Sequence, residues 1–339
     1  MKVLVVGCGS IGRRHAANAA AGATVGVFDA NPDAARVCAE ATGAKRHASL
    51  DDAFAWGPRA VVVATPHRTH LEMARRAIAA GADVLVEKPL SHNLDGVDDF
   101  LNALDAAGRR AYVVCNMRFH PGPAALRAAL TRVGKPLFAR AHVGNYLPSM
   151  RPGQDYRELY AARRAEGGGV VLDAVHEIDY LSWLFGTVER VACHAAKLSD
   201  LDLDVEDHAL LALRHHTGVE ASAELDYLRP QKSRGCEIVG TQGVLKWDSD
   251  GKDPERCSVR LFKTGLNEWE TIVDIGAVDT AQPYRDLMQA FLQEIEQPGT
   301  APLLSARDAA SVLAVALAAL KSANERGAAQ PLSRYNHAT

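Results

Sequence analysis

The sequence predicts an α/β protein of two domains, with a doubly wound parallel sheet first and an open, mainly antiparallel sheet second. Short apolar strands alternate with helices up to about residue 115, which is typical of a parallel sheet. After residues 118–123 this alternation stops, and strands joined by turn residues follow. The 339 residues are enough for two cores. We therefore predict domains over residues 1–120 and 121–339.

The first domain is predicted from buried apolar runs and the helical segments between them. The predicted strands are residues 2–6, 24–28, 60–64, 84–86 and 111–115. The predicted helices are residues 13–21, 32–42, 50–56, 65–80 and 91–107. Because helical segments separate consecutive strands, these strands are expected to run parallel.

A glycine-rich turn follows the first strand and opens the first helix. Gly7, Gly9 and Gly12 form the pattern G-x-G-x-x-G, which permits a tight turn, close approach of a pyrophosphate and close helix packing. The phosphate is expected at the helix N-terminus, beside Ser10 and Ile11. Asp29 ends the second strand, 29 − 7 = 22 residues after Gly7, where a carboxylate binds the ribose hydroxyls. Its charge would repel a 2′-phosphate, so NAD is predicted rather than NADP. Capping of the next helix is the alternative role for Asp29.

The strand over residues 84–86 ends abruptly in Glu87, Lys88 and Pro89. Proline cannot donate to a strand ladder, and it drives the residue before it into an extended conformation. Strands of an open α/β sheet deliver their last side chains to the crevice where ligands bind. Lys88 is therefore predicted as a cation at the mouth of a site, with Glu87 beside it. A solvated surface pair is the alternative.

The second domain is predicted from strands at residues 137–146, 188–197, 208–215, 219–227, 236–239, 243–247, 258–263 and 269–274. One helix is predicted between Gly167 and Gly186, with Asp173 and His176 three residues apart and therefore on one face. A histidine there could exchange a hydroxyl proton, and a carboxylate could orient its ring. A buried structural pair is the alternative.

The chain resembles the family of glucose–fructose oxidoreductase, inositol dehydrogenase and related sugar dehydrogenases (Gfo/Idh/MocA). The matching segments are residues 7–15 (GCGSIGRRH), Thr65-Pro66 with His70, Glu87-Lys88-Pro89, Arg118-Phe119-His120-Pro121, and Gly167-Gly168-Gly169 followed by Asp173, His176 and Asp179. The resemblance implies a Rossmann domain, a nicotinamide cofactor, a sugar or cyclic polyol substrate, and a homodimer or homotetramer joined through the sheet. It also implies that Lys88 lies in the active site. The family separates its Asp and His by four residues. Asp173 is therefore expected to be displaced around the helix by about 100° from the position of the family's carboxylate.

Motifs and resemblance together predict three groups of functional residues. The catalytic residues are Lys88, His176 and Asp173. The cofactor is predicted to contact Gly7, Gly9, Ser10, Ile11, Gly12, Asp29, Thr65, Pro66, His70, Glu87 and Lys88. The substrate is predicted to contact Arg118, Tyr156, Arg157, Tyr160, Asp173 and His176, although a solvated loop is the alternative for residues 156–160. No metal is predicted, because no further His or Cys keeps ligand spacing to His67 and His70; His70 is expected to pack or hydrogen-bond at a helix start.

Composition restricts the partners and the compartment. With 38 basic and 41 acidic residues, the net charge of −3 favours neither nucleic acid nor a membrane surface. The six cysteines are scattered, which is typical of buried reduced thiols in a cytoplasmic protein. The first residues enter a strand directly and predict no signal peptide. The apolar helical run over residues 309–320 is too short to span a membrane.

These features predict an NAD-dependent oxidoreductase that acts on a secondary alcohol or keto group of a sugar, cyclic polyol or sugar derivative, including nucleotide sugars. Two other functions stay open. An NAD-dependent glycosidase would oxidise and re-reduce its sugar, with turnover but no net NADH. A non-catalytic NAD-dependent sensor is the second, and the presence of Lys88 and His176 argues against it.

Overall fold

The structure is a computed structural model, and it describes residues 1–252, 254–299, 301–332 and 335. The strands are β1 Lys2–Val6, β2 Thr24–Phe28, β3 Lys45–Arg46, β4 Ala60–Val63, β5 Asp83–Val86, β6 Ala111–Val113, β7 Pro136–Gly144, β8 Val188–Ala196, β9 His208–His215, β10 Glu220–Asp226, β11 Ser233–Gly240, β12 Gly243–Ser249, β13 Glu255–Lys263, β14 Trp269–Val278, β15 Leu304–Ser305 and β16 Gln330–Pro331. The α-helices are α1 Ser10–Ala20, α2 Pro32–Thr42, α3 Leu50–Ala55, α4 His70–Ala79, α5 Val97–Ala106, α6 Pro121–Ala129, α7 Val170–Asp173, α8 Val175–Phe185, α9 Gln282–Glu296 and α10 Ala306–Asn324.

The chain forms two compact units. The first contains residues 1–116 and 283–310, and the second contains residues 117–282 and 311–339. The predicted domains, 1–120 and 121–339, divided the chain once and did not anticipate that residues 283–310 belong with the first unit. The final residues of the predicted second domain, 336–339, lie outside the described residues.

The first unit is built on a doubly wound parallel sheet. In the described part of the chain its strand order is β15-β6-β5-β4-β1-β2-β3, and all neighbours are parallel except β15 and β6. The order changes direction at β1, between β2 and β4, which is the switch point where such sheets bind their ligands. Both β4 and β5 are buried along their whole length, as the apolar runs that they contain predict. The predicted Rossmann domain is therefore present.

Helix α9 completes the first unit, although the sequence analysis did not predict it. Its buried face includes Leu287, Met288 and Phe291. Near its end, the Ile295 carbonyl accepts a hydrogen bond of 3.1 Å from the Arg110 guanidinium. Strand β15 then pairs with β6 in antiparallel register. The amphipathic pattern of α9 indicates a buried face, but it does not indicate which sheet covers that face.

The second unit contains the large sheet. Among the described residues its order is β14-β13-β12-β11-β7-β10-β9-β8-β16, and only the β7–β10 pair is parallel. This confirms the predicted mainly antiparallel sheet. Alternate residues are buried on one face, including Ala139, Ala141, Leu211, Leu213, Ala221, Ala223, Ile238, Leu245 and Trp247. Among the described residues, no helix has both the length and the apolar character needed to cross a bilayer.

Two predicted helices differ from the structure. The helix predicted over residues 91–107 begins only at Val97, because Asn93 and Asp95 form a turn in which the Asn93 side chain accepts the Asp95 N–H at 3.1 Å. The single helix predicted between Gly167 and Gly186 is two helices, α7 and α8, separated at Ala174 (φ −89°, ψ 29°). The 100° displacement predicted for Asp173 assumed one continuous helix, and the break at Ala174 removes that assumption.

Candidate active site

The glycine-rich turn lies between β1 and α1, and its geometry requires glycine. Gly7 has φ +98°, and a Cβ there would lie 2.4 Å from the Ala64 carbonyl oxygen. A Cβ on Gly12 would lie 1.9 Å from the Gly7 oxygen. By contrast, among the described residues no heavy atom lies within 4 Å of a Cβ placed on Gly9, the N-cap of α1. This open space before a helix N-terminus, flanked by Ser10 and Ile11, fits the pyrophosphate of a dinucleotide.

Asp29 follows β2 and is hydrogen-bonded to the glycine-rich turn. Its Oδ2 accepts the Cys8 N–H at 2.6 Å, and its Oδ1 accepts the Asn31 N–H at 2.7 Å. Each carboxylate oxygen has two lone pairs, so both retain capacity for the hydroxyls of a ribose. Helix α2 is capped by Asn31, whose side chain accepts from Asp33 and Ala34, so the alternative capping role is taken by a different residue.

Lys88 lies directly after β5, and its neighbours are held in place by buried side chains. The Glu87 Oε2 accepts the Lys88 N–H at 3.1 Å, and the Glu87 Oε1 lies 2.6 Å from His15 Nε2. His70 Nδ1 lies 2.8 Å from the Pro89 carbonyl oxygen, and its Nε2 lies 2.9 Å from that of Thr65. Burial opposes ionisation, but His15 and Lys88 keep the pKa of Glu87 below its usual value. The segment that carries Lys88 is thus fixed from both sides.

The predicted cofactor contacts of four residues in this region, Thr65, Pro66, His70 and Glu87, stay predictions. Glu87 and His70 are buried and bind other protein groups, as described above. Thr65 and Pro66 shape the start of α4, because the Thr69 hydroxyl lies 2.8 Å from both the Thr65 hydroxyl and the Pro66 carbonyl oxygen. Hydrogen bonding by His70 at this helix start agrees with the expectation from sequence.

In the second unit, Asp173 and His176 stand on opposite sides of the break at Ala174. Asp173 ends α7 and is partly exposed, whereas His176 lies in the first turn of α8 and is buried. The Tyr160 hydroxyl donates a hydrogen bond to Asp173. The pKa of Tyr227 is raised well above its usual value, mainly by burial and in addition by the charge of Asp173. The structure therefore places Asp173 in contact with tyrosine, at a position that helical periodicity did not predict.

Helix α8 is held by two buried ion pairs, whose acidic residues follow His176 in the sequence. Glu177 receives two hydrogen bonds from Arg234 on β11, of 2.7 and 2.9 Å. Asp179 receives bonds of 2.7 and 3.1 Å from Arg118. Bidentate pairs of this kind fix orientation as well as adding energy. This contact gives Arg118 a role in holding α8; its predicted binding of substrate stays a prediction.

The glycines before α7 allow the preceding loop to pack closely. The Gly168 N–H donates to the Arg163 carbonyl at 2.9 Å, and a Cβ on Gly168 would lie 2.3 Å from the backbone carbonyl oxygen of Tyr160. Of the predicted substrate residues in this loop, Tyr160 is the one whose hydroxyl donates a hydrogen bond to Asp173. The Tyr156 hydroxyl instead accepts the Asp202 N–H at 3.0 Å, and the exposed Arg157 binds Asp155 at 2.6 Å.

Several residues of these sites were missed by the sequence analysis. Glu177 and Arg234 carried no motif signal, because they are 57 residues apart. His15 was quoted only as part of a matching segment, and Glu206 was not singled out. Glu206 is buried, which raises its pKa, and it accepts the Val171 N–H at 3.2 Å at the start of α7. Within the described ranges, no three His, Cys, Asp or Glu residues form a group that could hold a metal ion.

Comparison with known proteins gives the family. Residues 1–115 match the family described as "Oxidoreductase family, NAD-binding Rossmann fold", and residues 124–246 match the "GFO/IDH/MocA C-terminal domain". The chain belongs to the Gfo/Idh/MocA oxidoreductase family. This confirms the predicted family, fold class and enzyme class, and it agrees with the prediction of NAD as cofactor.

Two curated relatives and one solved structure show the extent of the similarity. The chain is 31% identical to 1,5-anhydro-D-fructose reductase from Ensifer adhaerens, over 80% of this chain and 79% of the relative. It is 28% identical to inositol 2-dehydrogenase from Cereibacter sphaeroides, over 98% of this chain and 97% of the relative. The WlbA dehydrogenase from Bordetella pertussis, solved with NADH and UDP-GlcNAcA, is 25% identical, covers 98% of each chain and superposes with a TM-score of 0.80. Members of this family therefore align with the chain along nearly its whole length.

Proposed function

We propose that this Gfo/Idh/MocA protein is an NAD-dependent dehydrogenase that interconverts a secondary alcohol and a ketone on a sugar, cyclic polyol or sugar derivative. The observation that carries the proposal is the match of 98% of the chain to an inositol 2-dehydrogenase, together with Lys88 fixed at the end of β5 in the NAD-binding unit. The nucleotide-sugar complex of the Bordetella relative supports including nucleotide sugars among the candidates.

The cofactor would be held by residues of the first unit. The N-terminus of α1, with Gly9, Ser10 and Ile11, would bind the pyrophosphate, and Asp29 would bind the adenosine ribose. Bound NAD supplies the acceptor or donor of hydride. Because two backbone N–H groups hold the Asp29 carboxylate at the end of β2, a 2′-phosphate on the ribose would meet a negative charge there. We propose that the protein therefore prefers NAD to NADP.

We propose that Lys88, His176 and Asp173 are the catalytic residues. The Lys88 ammonium would hydrogen-bond the reacting oxygen and favour its deprotonated form. His176 would take the hydroxyl proton on oxidation and return it on reduction, and the ion pairs of Glu177 and Asp179 would keep its helix in place. Asp173, hydrogen-bonded to Tyr160, would assist His176.

Substrate hydroxyls are proposed to contact Tyr156, Arg157, Tyr160 and Arg118, in addition to the catalytic residues. Tyr160 has the strongest support, because its hydroxyl is bound to Asp173. Arg157 is half exposed and is held in position by Asp155, the pKa of which the Arg157 hydrogen bonds lower to about 2. A charged pair with exposed donors suits a polyhydroxylated or anionic substrate.

We also propose a homodimer or homotetramer in the cytoplasm. The outward face of the large sheet exposes Phe138, Leu210 and Trp269, and an exposed sheet face of this kind is commonly covered by a second subunit. All six cysteines are buried thiols, the state that a reducing compartment maintains.

The test is a substrate panel. Purified protein is incubated with NAD and, separately, with inositols, free sugars and nucleotide sugars, while NADH is followed at its absorbance band. We expect NADH formation with at least one polyol or sugar, and a rate about 10²–10⁴-fold lower with the Lys88→Ala variant. Product formation without net NADH would instead support the glycosidase. NAD binding without turnover of any panel member would support the sensor.

A further inference from the structure

The glutamate that precedes Lys88 is bound by a histidine from α1. His15 is completely buried, and its Nε2 lies 2.6 Å from the Glu87 Oε1. The other oxygen of the same carboxylate, Oε2, accepts the Lys88 N–H at 3.1 Å. One carboxylate therefore connects α1 to the backbone of Lys88, across 72 residues of sequence.

The hydrogen-bonding role of each nitrogen of the His15 ring follows from its surroundings. A carboxylate accepts hydrogen bonds, so the proton between His15 and Glu87 lies on Nε2. Among the described residues, the His15 Nδ1 is buried and has no hydrogen-bond partner. A second proton there would be a buried unsatisfied donor, which is costly. The contacts therefore assign Nε2 as the atom that donates to Glu87. The Tyr284 ring packs against the imidazole in an edge-to-face arrangement, with the two ring centroids 6.3 Å apart.

Glu87 depends on this donor to remain ionised. Burial alone would favour its neutral form. The titratable groups that face it are His15 from α1, His70 from α4 and Lys88 beside it, and their combined effect holds the pKa of Glu87 below its usual value. The first of these supplies the direct hydrogen bond.

We propose that His15 is a positioning residue for Lys88, which acts by holding Glu87 as a carboxylate that fixes the Lys88 backbone. The proposal rests on the proposed function, in which Lys88 contacts the reacting oxygen. Because α1 also presents its N-terminus to the cofactor pyrophosphate, the same helix holds the cofactor and, through His15, the Lys88 segment. No residue outside the first unit is needed.

The proposal predicts that replacing His15 lowers activity by an amount that depends on pH, and not by the same factor at every pH. Without His15, Glu87 is a buried carboxyl that has lost its side-chain donor. Its pKa should therefore rise toward neutral pH. A protonated carboxyl is a weaker acceptor for the Lys88 N–H than a carboxylate is. Activity should therefore be lost near neutral pH and recover as the pH rises and Glu87 ionises. A purely structural role for His15 gives no such recovery.

The first experiment compares His15→Leu with two matched variants. His15→Gln keeps a neutral N–H donor near the position of Nε2, and Glu87→Gln keeps the shape but removes the charge. For His15→Leu we expect kcat to fall about 10- to 100-fold at pH 7, as for a small misplacement of a catalytic group. It should recover at higher pH, with the NAD dissociation constant changed little. His15→Gln should stay close to wild type. Glu87→Gln should be impaired at every pH, and adding His15→Leu to it should cost little more.

The second experiment does not depend on activity. Glutamate carboxyls are labelled with carbon-13, the Glu87 resonance is identified by its absence in Glu87→Gln, and its titration is followed by NMR. We expect Glu87 to titrate below its usual range in wild type and above it in His15→Leu. If that variant does not fold, His15→Asn, whose amide ends near the position of Nδ1, carries the same expectation.

The outcomes separate this proposal from the proposed function. An unchanged Glu87 titration in both His15→Leu and His15→Asn would overturn the inference, and so would an active enzyme whose pH profile His15→Leu leaves unaltered. If Glu87 titrates as expected but wild type oxidises no sugar or polyol, the proposed dehydrogenase function fails and the link between His15 and Glu87 stands.

Discussion

Replacing Glu177 by leucine should destabilise the second unit strongly, because it leaves a buried cation without its partner. Glu177 is completely buried, and the Arg234 side chain is 16% exposed. Two hydrogen bonds, of 2.7 and 2.9 Å, join them. Breaking a buried ion pair by removing one partner typically costs about 3–5 kcal/mol, most of it from the stranded charge. We expect a loss of that size in the free energy of unfolding.

The double variant Glu177→Leu/Arg234→Met is the matched control. When both partners are replaced by apolar residues of similar volume, no buried charge is stranded, and such exchanges are often neutral or stabilising. The double variant should therefore recover most of the stability that Glu177→Leu loses. The single change Arg234→Met should be about as harmful as Glu177→Leu, since it strands the carboxylate instead.

Urea unfolding followed by tryptophan fluorescence measures this effect. Three of the four tryptophans, Trp183, Trp247 and Trp269, lie in the second unit, so the signal reports mainly on it. With a slope of about 2 kcal/mol per molar urea, a loss of about 3–5 kcal/mol lowers the midpoint by about 1.5–2.5 M. If the double variant were as unstable as the two single variants, the reasoning would be wrong, and lost packing rather than a stranded charge would explain the cost.

Three further predictions follow from the candidate site. Calorimetric titration should show tighter binding of NAD than of NADP. Asp29→Asn should improve NADP binding about five- to tenfold, since a like-charge contact costs on the order of 1 kcal/mol in water. Equal affinities of the wild type for NAD and NADP would contradict this prediction. Lys88→Ala and His176→Ala should each lower kcat by about 10²–10⁴-fold, with little change in NAD affinity, as measured by initial rates and calorimetry. Light scattering at micromolar concentration should show a dimer or tetramer, which Leu210→Lys should weaken, and a wild-type monomer would exclude the proposed interface.

The first unit was predictable where local patterns specify it. Strands β1 and β2 were predicted to the residue, because each is an apolar run bounded by turn residues. The two-residue strands β3, β15 and β16 were missed, since two residues carry no periodicity. Helix α9 was missed as part of the first unit for a different reason. Its amphipathic sequence indicates that one face is buried, but the choice of sheet depends on contacts distant in the chain.

The candidate site was predictable as individual residues rather than as contacts. The glycine-rich turn and Asp29 follow from spacing along a few tens of residues, which a local motif encodes. The partners of Glu87 and Asp179 could not be predicted in this way, because His15 lies 72 residues from Glu87 and Arg118 lies 61 residues from Asp179. Such pairs are brought together by the sheet order, which the sequence pattern does not specify.

The break at Ala174 changes what can be expected of Asp173. With α7 and α8 separate, a three-residue spacing no longer fixes the direction of Asp173 relative to His176; the hydrogen bond from Tyr160 fixes it instead. If Asp173 only assists His176, Asp173→Asn should lower kcat less than His176→Ala does, and Tyr160→Phe should have a similar, small effect. The double variant Tyr160→Phe/Asp173→Asn should then be little worse than Asp173→Asn alone, because Tyr160→Phe removes the same contact that Asp173→Asn weakens. Initial rates of the variants measured against pH show whether His176 or Asp173 exchanges the proton. Near-full activity in His176→Ala, with none in Asp173→Asn, would make Asp173 the group that exchanges the proton.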